Sequence, residues 1–172
     1  MKRAILKTIY ISLFITAFTS SSNAQDERIK ALFIYNFTKY IEWPEDYKQG
    51  NFVIAVFGET LVYDLLLQNT ATRKVAVQDI SVKKFLKISD IEMCHILYVP
   101  AQKASMLKEI NSAISKWPVL LITEIPNGIT EGASLNFIKV NDKQTFEIST
   151  EMLTKKKLAY SSTLLKLGIQ AK

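Results

Sequence analysis

The chain contains a single cysteine, Cys94, and a single histidine, His95. A lone cysteine cannot form an internal disulfide, which excludes the disulfide framework of many small secreted scaffolds. One cysteine and one histidine among scattered carboxylates also give no recurring set of metal ligands, so we expect no structural zinc site. Since neighbouring side chains of a strand point to opposite faces, these two residues are not expected to form a thiol–imidazole pair.

Glycine is scarce, and its five positions are dispersed along the chain. None of them belongs to a Gly-rich loop after a strand, which argues against nucleotide binding by that route. Ser161 and Ser162 are candidate nucleophiles, but no base accompanies them in the sequence, and hydroxyls at the start of a helix usually cap it. The sequence therefore predicts no catalytic site and no cofactor, and we expect the protein not to be an enzyme.

No apolar run has the length expected of a spanning helix. Residues 9–18 form an apolar run of about 10 residues, whereas a membrane span needs roughly 20. This run follows Lys2, Arg3 and Lys7 and precedes Ser22-Asn23-Ala24, which is the layout of a secretory signal peptide. We predict a signal peptide over residues 1–24 and one soluble domain over residues 25–172, with no membrane insertion after cleavage.

Positive charge exceeds negative charge only mildly. The chain has 22 basic and 16 acidic residues, a formal net charge of +6. The short clusters Lys83-Lys84 and Lys155-Lys156-Lys157 lack the interleaved aromatic residues of a stacking platform. We interpret them as solvated faces and expect no nucleic-acid partner.

Residues 29–44 show an unusual helical pattern. The predicted core-facing stripe consists of Ile29, Leu32, Phe33, Asn36, Phe37, Tyr40 and Ile41. Asn36 would need hydrogen-bond partners on that face, because a buried unpaired amide costs about 1 to 3 kcal/mol. Trp43-Pro44 is expected to end the helix, since proline cannot continue it. We interpret this segment as a docking helix, with a ligand-contacting helix as the alternative.

Strand-like and helix-like segments alternate through the middle of the chain. Buried strands are predicted at 52–57, 94–99 and 119–123, with shorter strands at 75–77 and 80–85. Helices are predicted at 61–69, 89–93 and 101–116, the last ended by Trp117-Pro118. This order is typical of a parallel sheet with helices on both faces.

The pattern changes towards the carboxyl terminus. Residues 135–140 and 144–148 predict an antiparallel hairpin, and Ser149 or Thr150 is expected to cap a helix carrying Met152, Leu153 and Leu158. A last short helix is expected around residues 164–167. The predicted fold class is α/β: a single-domain Rossmann-like sandwich with a mostly parallel central sheet, helices on both faces and a C-terminal antiparallel hairpin.

Four segments in this order resemble the YfiR family. They are the opening helix with Tyr35-Asn36-Phe37 and Trp43-Pro44, the strand Cys94–Val99, the hairpin with Leu135-Asn136-Phe137 and Phe146-Glu147-Ile148, and the tail Ser161–Leu167. The resemblance covers essentially the whole predicted mature chain. It implies a small periplasmic α/β protein that represses a membrane-bound diguanylate cyclase by binding its periplasmic part, and so influences cyclic-di-GMP signalling and biofilm formation. The chain departs from better-known members because Cys94 stands alone, which puts redox control through an internal disulfide in doubt.

The candidate partner-binding and signature residues are Tyr35, Asn36, Tyr40, Trp43, Pro44, Trp117, Asn136, Ser161 and Ser162. The two Trp-Pro pairs could form an exposed patch for a partner, with core packing as the alternative. The hairpin 135–148 could instead accept a strand from a partner. The expected partner is the extracytoplasmic domain of an inner-membrane sensor or diguanylate cyclase, and a homodimer is kept as a further assembly.

Two other functions stay open at this point. One is a small-molecule binding module with a pocket at the carboxyl ends of the parallel strands, where open α/β sheets usually bind ligands. The other is an exported hydrolase, which has little support from the residues.

Overall fold

The structure is a computed structural model that describes residues 24–171. The predicted signal peptide, apart from Ala24, lies outside the described residues. The helices are α1 (24–37), α2 (Leu61–Thr70), α3 (Leu107–Ala113), α4 (Thr150–Lys155) and α5 (Ser162–Leu167). The strands are β1 (Ile41–Glu42), β2 (Phe52–Phe57), β3 (Lys74–Val75), β4 (Gln78–Phe85), β5 (Ile96–Val99), β6 (Leu120–Thr123), β7 (Leu135–Val140), β8 (Lys143–Ile148), β9 (Ala159–Tyr160) and β10 (Ile169–Gln170).

One eight-stranded sheet runs in the order β10-β8-β7-β6-β5-β2-β4-β3. Strands β4, β2, β5, β6 and β7 are successive parallel neighbours, and β7 pairs with β8 as an antiparallel hairpin. Strands β1 and β9 form a separate antiparallel pair. The predicted single α/β domain, its mostly parallel sheet and its C-terminal hairpin are therefore confirmed.

The sheet is covered on both faces, as the continuous apolar runs predicted. One core layer joins Ile54 and Tyr98 of the sheet to α1, α2, α4 and α5. The opposite layer joins Ala55 and Leu97 to α3. Because every residue of β2, β5 and β6 is buried, these three strands form the rigid centre on which the surrounding loops are built.

The turn of the C-terminal hairpin follows from two residues. Asn141 and Asp142 have φ values of 50° and 60°, and the flanking residues Val140 and Lys143 pair directly. Two left-handed residues between paired strands form a type I′ turn, which matches the twist of the strands. Asn and Asp tolerate this conformation better than other non-glycine residues, so the local sequence determines the register.

Helix α1 ends earlier than predicted, and its buried face only partly matches the predicted stripe. Its buried stripe contains Ala31, Ile34 and Phe37, whereas Leu32 is 44% exposed. Asn36 is only half-buried and accepts a hydrogen bond from Lys39 Nζ at 2.8 Å, so its predicted place on the core-facing stripe was wrong. Phe33, Phe37 and Tyr40 of the predicted stripe do pack in this core layer, so the buried face overlaps the predicted one and extends towards Ala31 and Ile34.

The predicted end of α1 at Trp43-Pro44 was also wrong. The chain turns at residues 38–40, and Ile41 then pairs with Tyr160 in the β1–β9 ribbon. This long-range pairing requires extended backbone at residues 41 and 42, which a continued helix could not supply. The apolar spacing alone did not distinguish these two conformations.

Three shorter elements also differ from prediction. The helix expected at 89–93 is a single 3-10 turn, Ile88–Asp90, closed by a hydrogen bond from Lys87 N to Asp90 Oδ2 of 3.0 Å. The helix expected at 101–116 begins as 3-10 turns and is α-helical only in α3. Val77 lies outside β3 and is 83% exposed, because left-handed Ala76 turns the chain there.

Replacing Gly168 by alanine should lower the free energy of unfolding by about 1 to 3 kcal/mol. An added Cβ would lie 2.5 Å from Phe146 Cε2 and 2.8 Å from Ile148 Cδ1, so packed core atoms would have to move. Urea denaturation measures the change. Lys166→Ala on the exposed side of α5 is the control and should change the free energy by less than about 0.5 kcal/mol. Equal effects of the two substitutions would contradict this packing.

Candidate functional site

The fold brings the two Trp-Pro pairs of the sequence to the amino ends of the central strands β2 and β6, which lie on either side of β5. Pro44, Tyr47, Trp117 and Pro118 all line one cleft with a volume of about 270 Å³. The same cleft is lined by Asp46, Lys116, Lys155, Lys156 and Lys157. We call this surface the Trp-Pro cleft.

The two tryptophans have different environments. Trp43 is only 5% exposed, packs edge-on against Phe52 with ring centroids 4.8 Å apart, and donates from Nε1 to the His95 carbonyl at 3.2 Å. Trp117 is half-buried and lies under Lys116, whose ammonium is 4.9 Å from the ring centroid. Trp117, rather than Trp43, is therefore available to contact another molecule.

The ring of His95 connects the start of β2 to the loop that carries Tyr47 of the Trp-Pro cleft. Its Nδ1 accepts from Val53 N at 3.0 Å, and its Nε2 lies 2.8 Å from the Tyr47 carbonyl, so the neutral tautomer carries its proton on Nε2. The ring also stacks on Phe52 at 4.3 Å. Burial lowers the pKa of His95 below 6.5, which outweighs the opposite effect of the Tyr47 carbonyl and keeps the ring neutral.

Cys94 and His95 occupy opposite sides of the sheet, as predicted. Cys94 lies in the core layer of α3, while the His95 ring contacts Trp43 and Phe52 in the layer of α1. Burial raises the pKa of Cys94 to about 12, with a smaller contribution from Glu92. A thiol that stays protonated and a neutral imidazole with both nitrogens bonded do not form a nucleophile and base.

Lys156 joins the ends of two helices beside the cleft. Its Nζ donates to the Ile114 carbonyl at 2.8 Å and lies 3.4 Å from the carbonyls of Ser115 and Trp117. These carbonyls belong to the segment that follows α3, and those of Ile114 and Trp117 also accept backbone hydrogen bonds from Trp117 N and Val119 N. Burial, together with the charge of Lys155, lowers the pKa of Lys156. Lys156 thus fixes the position of Trp117 relative to the end of α4.

The carboxyl ends of the central strands, opposite the Trp-Pro cleft, carry a partly buried ionic cluster. The chain adds β4 on one side of β2 and then β5 on the other side. The direction in which strands are added to the sheet therefore reverses between β2 and β5. At the carboxyl ends of these strands, Lys30 forms ion pairs with Glu124 and, at 2.7 Å, with Glu27. Burial disfavours the charged form of Lys30, but the hydrogen bonds that its ammonium donates to Glu124 and Glu27 outweigh this effect and raise the pKa of Lys30.

The neighbouring groups enclose this cluster. Glu27 accepts from the Thr60 hydroxyl at 3.2 Å, and Glu124 accepts from Ala101 N at 3.2 Å. The nearby Tyr98 hydroxyl is buried, and burial together with Glu124 raises the pKa of Tyr98. Side chains of α1 therefore occupy the part of the sheet where open α/β folds usually bind ligands.

Asn136 makes a separate internal network. Its Oδ1 accepts from Thr123 Oγ1 at 2.7 Å and from Ile125 N at 3.1 Å, and its Nδ2 donates to Glu147 Oε2 at 3.0 Å. Asn136 is 1% exposed, so these bonds satisfy a buried amide and tie β6 to the hairpin.

The remaining predicted site residues lie away from the Trp-Pro cleft. Tyr35 lies beneath Arg73, whose guanidinium carbon is 4.5 Å from the ring centroid. Tyr40 and Ser161 line a second cavity of about 260 Å³ beside the β1–β9 ribbon. Ser161 accepts from Leu164 N at 3.4 Å, so it caps α5 as predicted, and exposed Ser162 is the first residue of that helix. The structure therefore distributes the nine predicted residues over several places.

Sequence reasoning missed the lysines as part of the cleft. Lys155, Lys156 and Lys157 have no aromatic neighbours in sequence, but Trp117 and Tyr47 line the same cleft in the fold. This proximity depends on long-range packing of α3 against the segment after α4, which no local pattern contains. The only available signal was the unusual run of three lysines.

The described residues contain neither a candidate membrane span nor a candidate metal site. Across residues 24–171, no helix combines the length and apolar character required to cross a bilayer. Within the same range, no three His, Cys, Asp or Glu side chains come close enough together to hold a metal ion.

Comparison with known families identifies a relationship over most of the chain. A family model described as YfiR/HmsC-like matches residues 27–169. This range extends from α1 to β10 and includes both the Trp-Pro cleft and the ionic cluster. A search of curated proteins found no match to the chain.

The free energy of unfolding should fall as the pH decreases from 7 to 5.5. The fold lowers the pKa of His95, so stability is present above the ordinary value of 6.5 and is lost as the unfolded state takes up a proton. The limiting slope is about 1.4 kcal/mol per pH unit. Because the chain has no other histidine, His95→Gln should flatten this slope in urea titrations, and an unchanged slope would contradict the assignment.

Proposed function

Because the chain belongs to the YfiR/HmsC-like family, we propose that it is a periplasmic regulator that binds the extracytoplasmic domain of a membrane signalling protein and represses it. The proposed signalling protein is a diguanylate cyclase of the inner membrane, so the regulated output is cyclic-di-GMP and, through it, biofilm formation. The family match over residues 27–169 carries this proposal, since it spans nearly the whole described domain.

The chemistry of the described residues supports a binding role rather than catalysis. The Cys94 thiol is buried with a pKa raised to about 12, and both ring nitrogens of His95 are engaged in the core. Ser161 uses its hydroxyl to cap a helix. These groups, which could otherwise serve as nucleophile or base, have structural partners instead.

Export is part of the same proposal. We propose that residues 1–24 direct the chain across the inner membrane and are then removed, which places the domain in the compartment where it can meet a periplasmic sensor domain.

A second candidate is a small-molecule binding module, and one observation favours it. An open cleft of about 750 Å³ lies between α3 and α4 and is lined by Asn111, Thr130, Glu131, Ser149 and Glu151 among others. Its volume lies within the usual range of ligand pockets, about 300 to 1,000 Å³. A ligand that binds there would raise the melting temperature of the purified chain, and a thermal-shift screen of small polar molecules tests this.

Deleting the gene should raise cellular cyclic-di-GMP and increase biofilm, because the cyclase loses its repressor. Cyclic-di-GMP is measured by mass spectrometry of cell extracts. Expression of the full chain from a plasmid should restore the lower level, whereas expression without residues 1–24 should not, because the protein then stays in the cytoplasm. An unchanged cyclic-di-GMP level after deletion would contradict the proposed function.

A further inference from the structure

The described domain contains sixteen lysines; ten of them form no ion pair with a carboxylate within residues 24–171, and four of those ten line the Trp-Pro cleft. The other six form ion pairs with carboxylates: Lys30, Lys48, Lys74, Lys83, Lys84 and Lys139. The four lysines of the Trp-Pro cleft have no carboxylate partner within residues 24–171. Only one carboxylate, Asp46, lines that cleft with them. The cleft therefore carries an excess of positive charge that the described domain does not neutralise.

The cleft lysines differ in their availability. Lys156 is held by the carbonyls that follow α3 and so has a structural role. Lys116, Lys155 and Lys157 are exposed. The backbone around Lys157 is fixed, since it has a φ of 57° and its N–H bonds the Thr154 carbonyl at 2.9 Å. Three ammonium groups are thus presented from well-defined backbone around one concavity.

The shape of the cleft narrows the choice of ligand. Its volume of about 270 Å³ lies below the usual range for drug-sized ligands, which runs from about 300 to 1,000 Å³. Trp117 and Pro44 supply an apolar wall beside the ammonium groups. Exposed Glu45 and Asp46 lie next to this wall and disfavour negative charge there, so the carboxylates of a ligand are expected to face the lysines and its apolar side chain to face the wall. This division of charge favours a ligand with localised carboxylates over a uniformly anionic membrane surface. Charge and shape together favour an acidic protein segment that contains an apolar side chain.

We propose that the Trp-Pro cleft is the docking site for an acidic segment of the partner's extracytoplasmic domain. Carboxylates of that segment bind Lys116, Lys155 and Lys157, and an adjacent apolar side chain contacts Trp117 and Pro44. This inference rests on the proposed function and specifies the chemistry of the partner.

The first test uses a defined peptide probe and the full chain labelled with nitrogen-15 and purified after export. Acetyl-Glu-Glu-Phe-Glu-Glu-amide should shift the indole signal of Trp117 and the amide signals of residues 155–157, and raising the salt concentration should weaken the effect because the contacts are ionic. A peptide with lysine in place of each glutamate should produce no such shifts. Equal shifts by both peptides, or no shift at the cleft with the acidic peptide, would overturn the proposal.

Charge reversal provides the matched comparison. The triple variant Lys116→Glu, Lys155→Glu, Lys157→Glu should weaken peptide binding by about tenfold or more, because attraction becomes repulsion. The control triple Lys87→Glu, Lys108→Glu, Lys143→Glu changes three exposed lysines elsewhere and should bind the peptide within about twofold of the original protein. Equal loss in both triples would overturn the assignment to the cleft. If the melting temperature of the cleft triple variant falls, the double variant Lys155→Glu, Lys157→Glu is used in its place.

Binding to anionic lipid vesicles tests whether a lipid surface, rather than an acidic protein segment, is the ligand of the cleft. Full chain that sediments with phosphatidylglycerol vesicles, and loses this binding in the cleft triple but not in the control triple, would assign the cleft to a lipid surface and overturn the proposal. Sedimentation that does not distinguish the two triples supports a protein ligand.

Complementation of the deletion strain distinguishes failure of this inference from failure of the proposed function. In the deletion strain, the control triple should lower cyclic-di-GMP as the original chain does, and the cleft triple should not. If both triples lower it equally, the cleft proposal fails and the regulator function stands. If the original chain itself has no effect, the proposed function fails.

Discussion

The buried ring of His95 is the contact on which the arrangement of the central sheet depends. It bonds Val53 at the start of β2 and the carbonyl of Tyr47, while its own backbone bonds Val53 and Leu120. The indole of Trp43 donates to the same residue's carbonyl. One neutral side chain and its peptide groups therefore join the starts of β2, β5 and β6 to the loop that precedes β2. Protonation would replace the acceptor at Nδ1 by a donor facing another donor.

This junction explains why the Trp-Pro cleft has a defined shape. Tyr47 is fixed from one side through His95, and Trp117 is fixed from the other by the connection into β6 and by Lys156. At the opposite ends of the central strands, the ion pairs of Lys30 hold α1 over the reversal point between β2 and β5. Side chains of α1 thus cover the carboxyl ends of the central strands, where open α/β sheets usually bind ligands. An open, basic cleft lies at the amino ends of the same strands.

Sequence patterns predicted most of the fold because its main elements have local signals. The continuous apolar run of β2, the C-terminal hairpin and the Ser149 and Ser161 caps each follow from neighbouring residues. The end of α1 was missed because a long-range pairing between β1 and β9 overrides helical spacing. The Trp-Pro cleft was only half anticipated, since its aromatic residues were recognised but the lysines come from a distant part of the chain.

Site-specific photo-crosslinking in living cells tests the central claim most directly. A photoreactive amino acid replaces exposed Lys155 in the cleft or, as the control, exposed Lys143 in the hairpin. We expect position 155 alone to capture an inner-membrane diguanylate cyclase, with the crosslink in an acidic segment of its extracytoplasmic domain. Capture of the cyclase from position 143 but not 155 would contradict the docking surface, and the absence of any cyclase crosslink from either position would contradict the regulatory role.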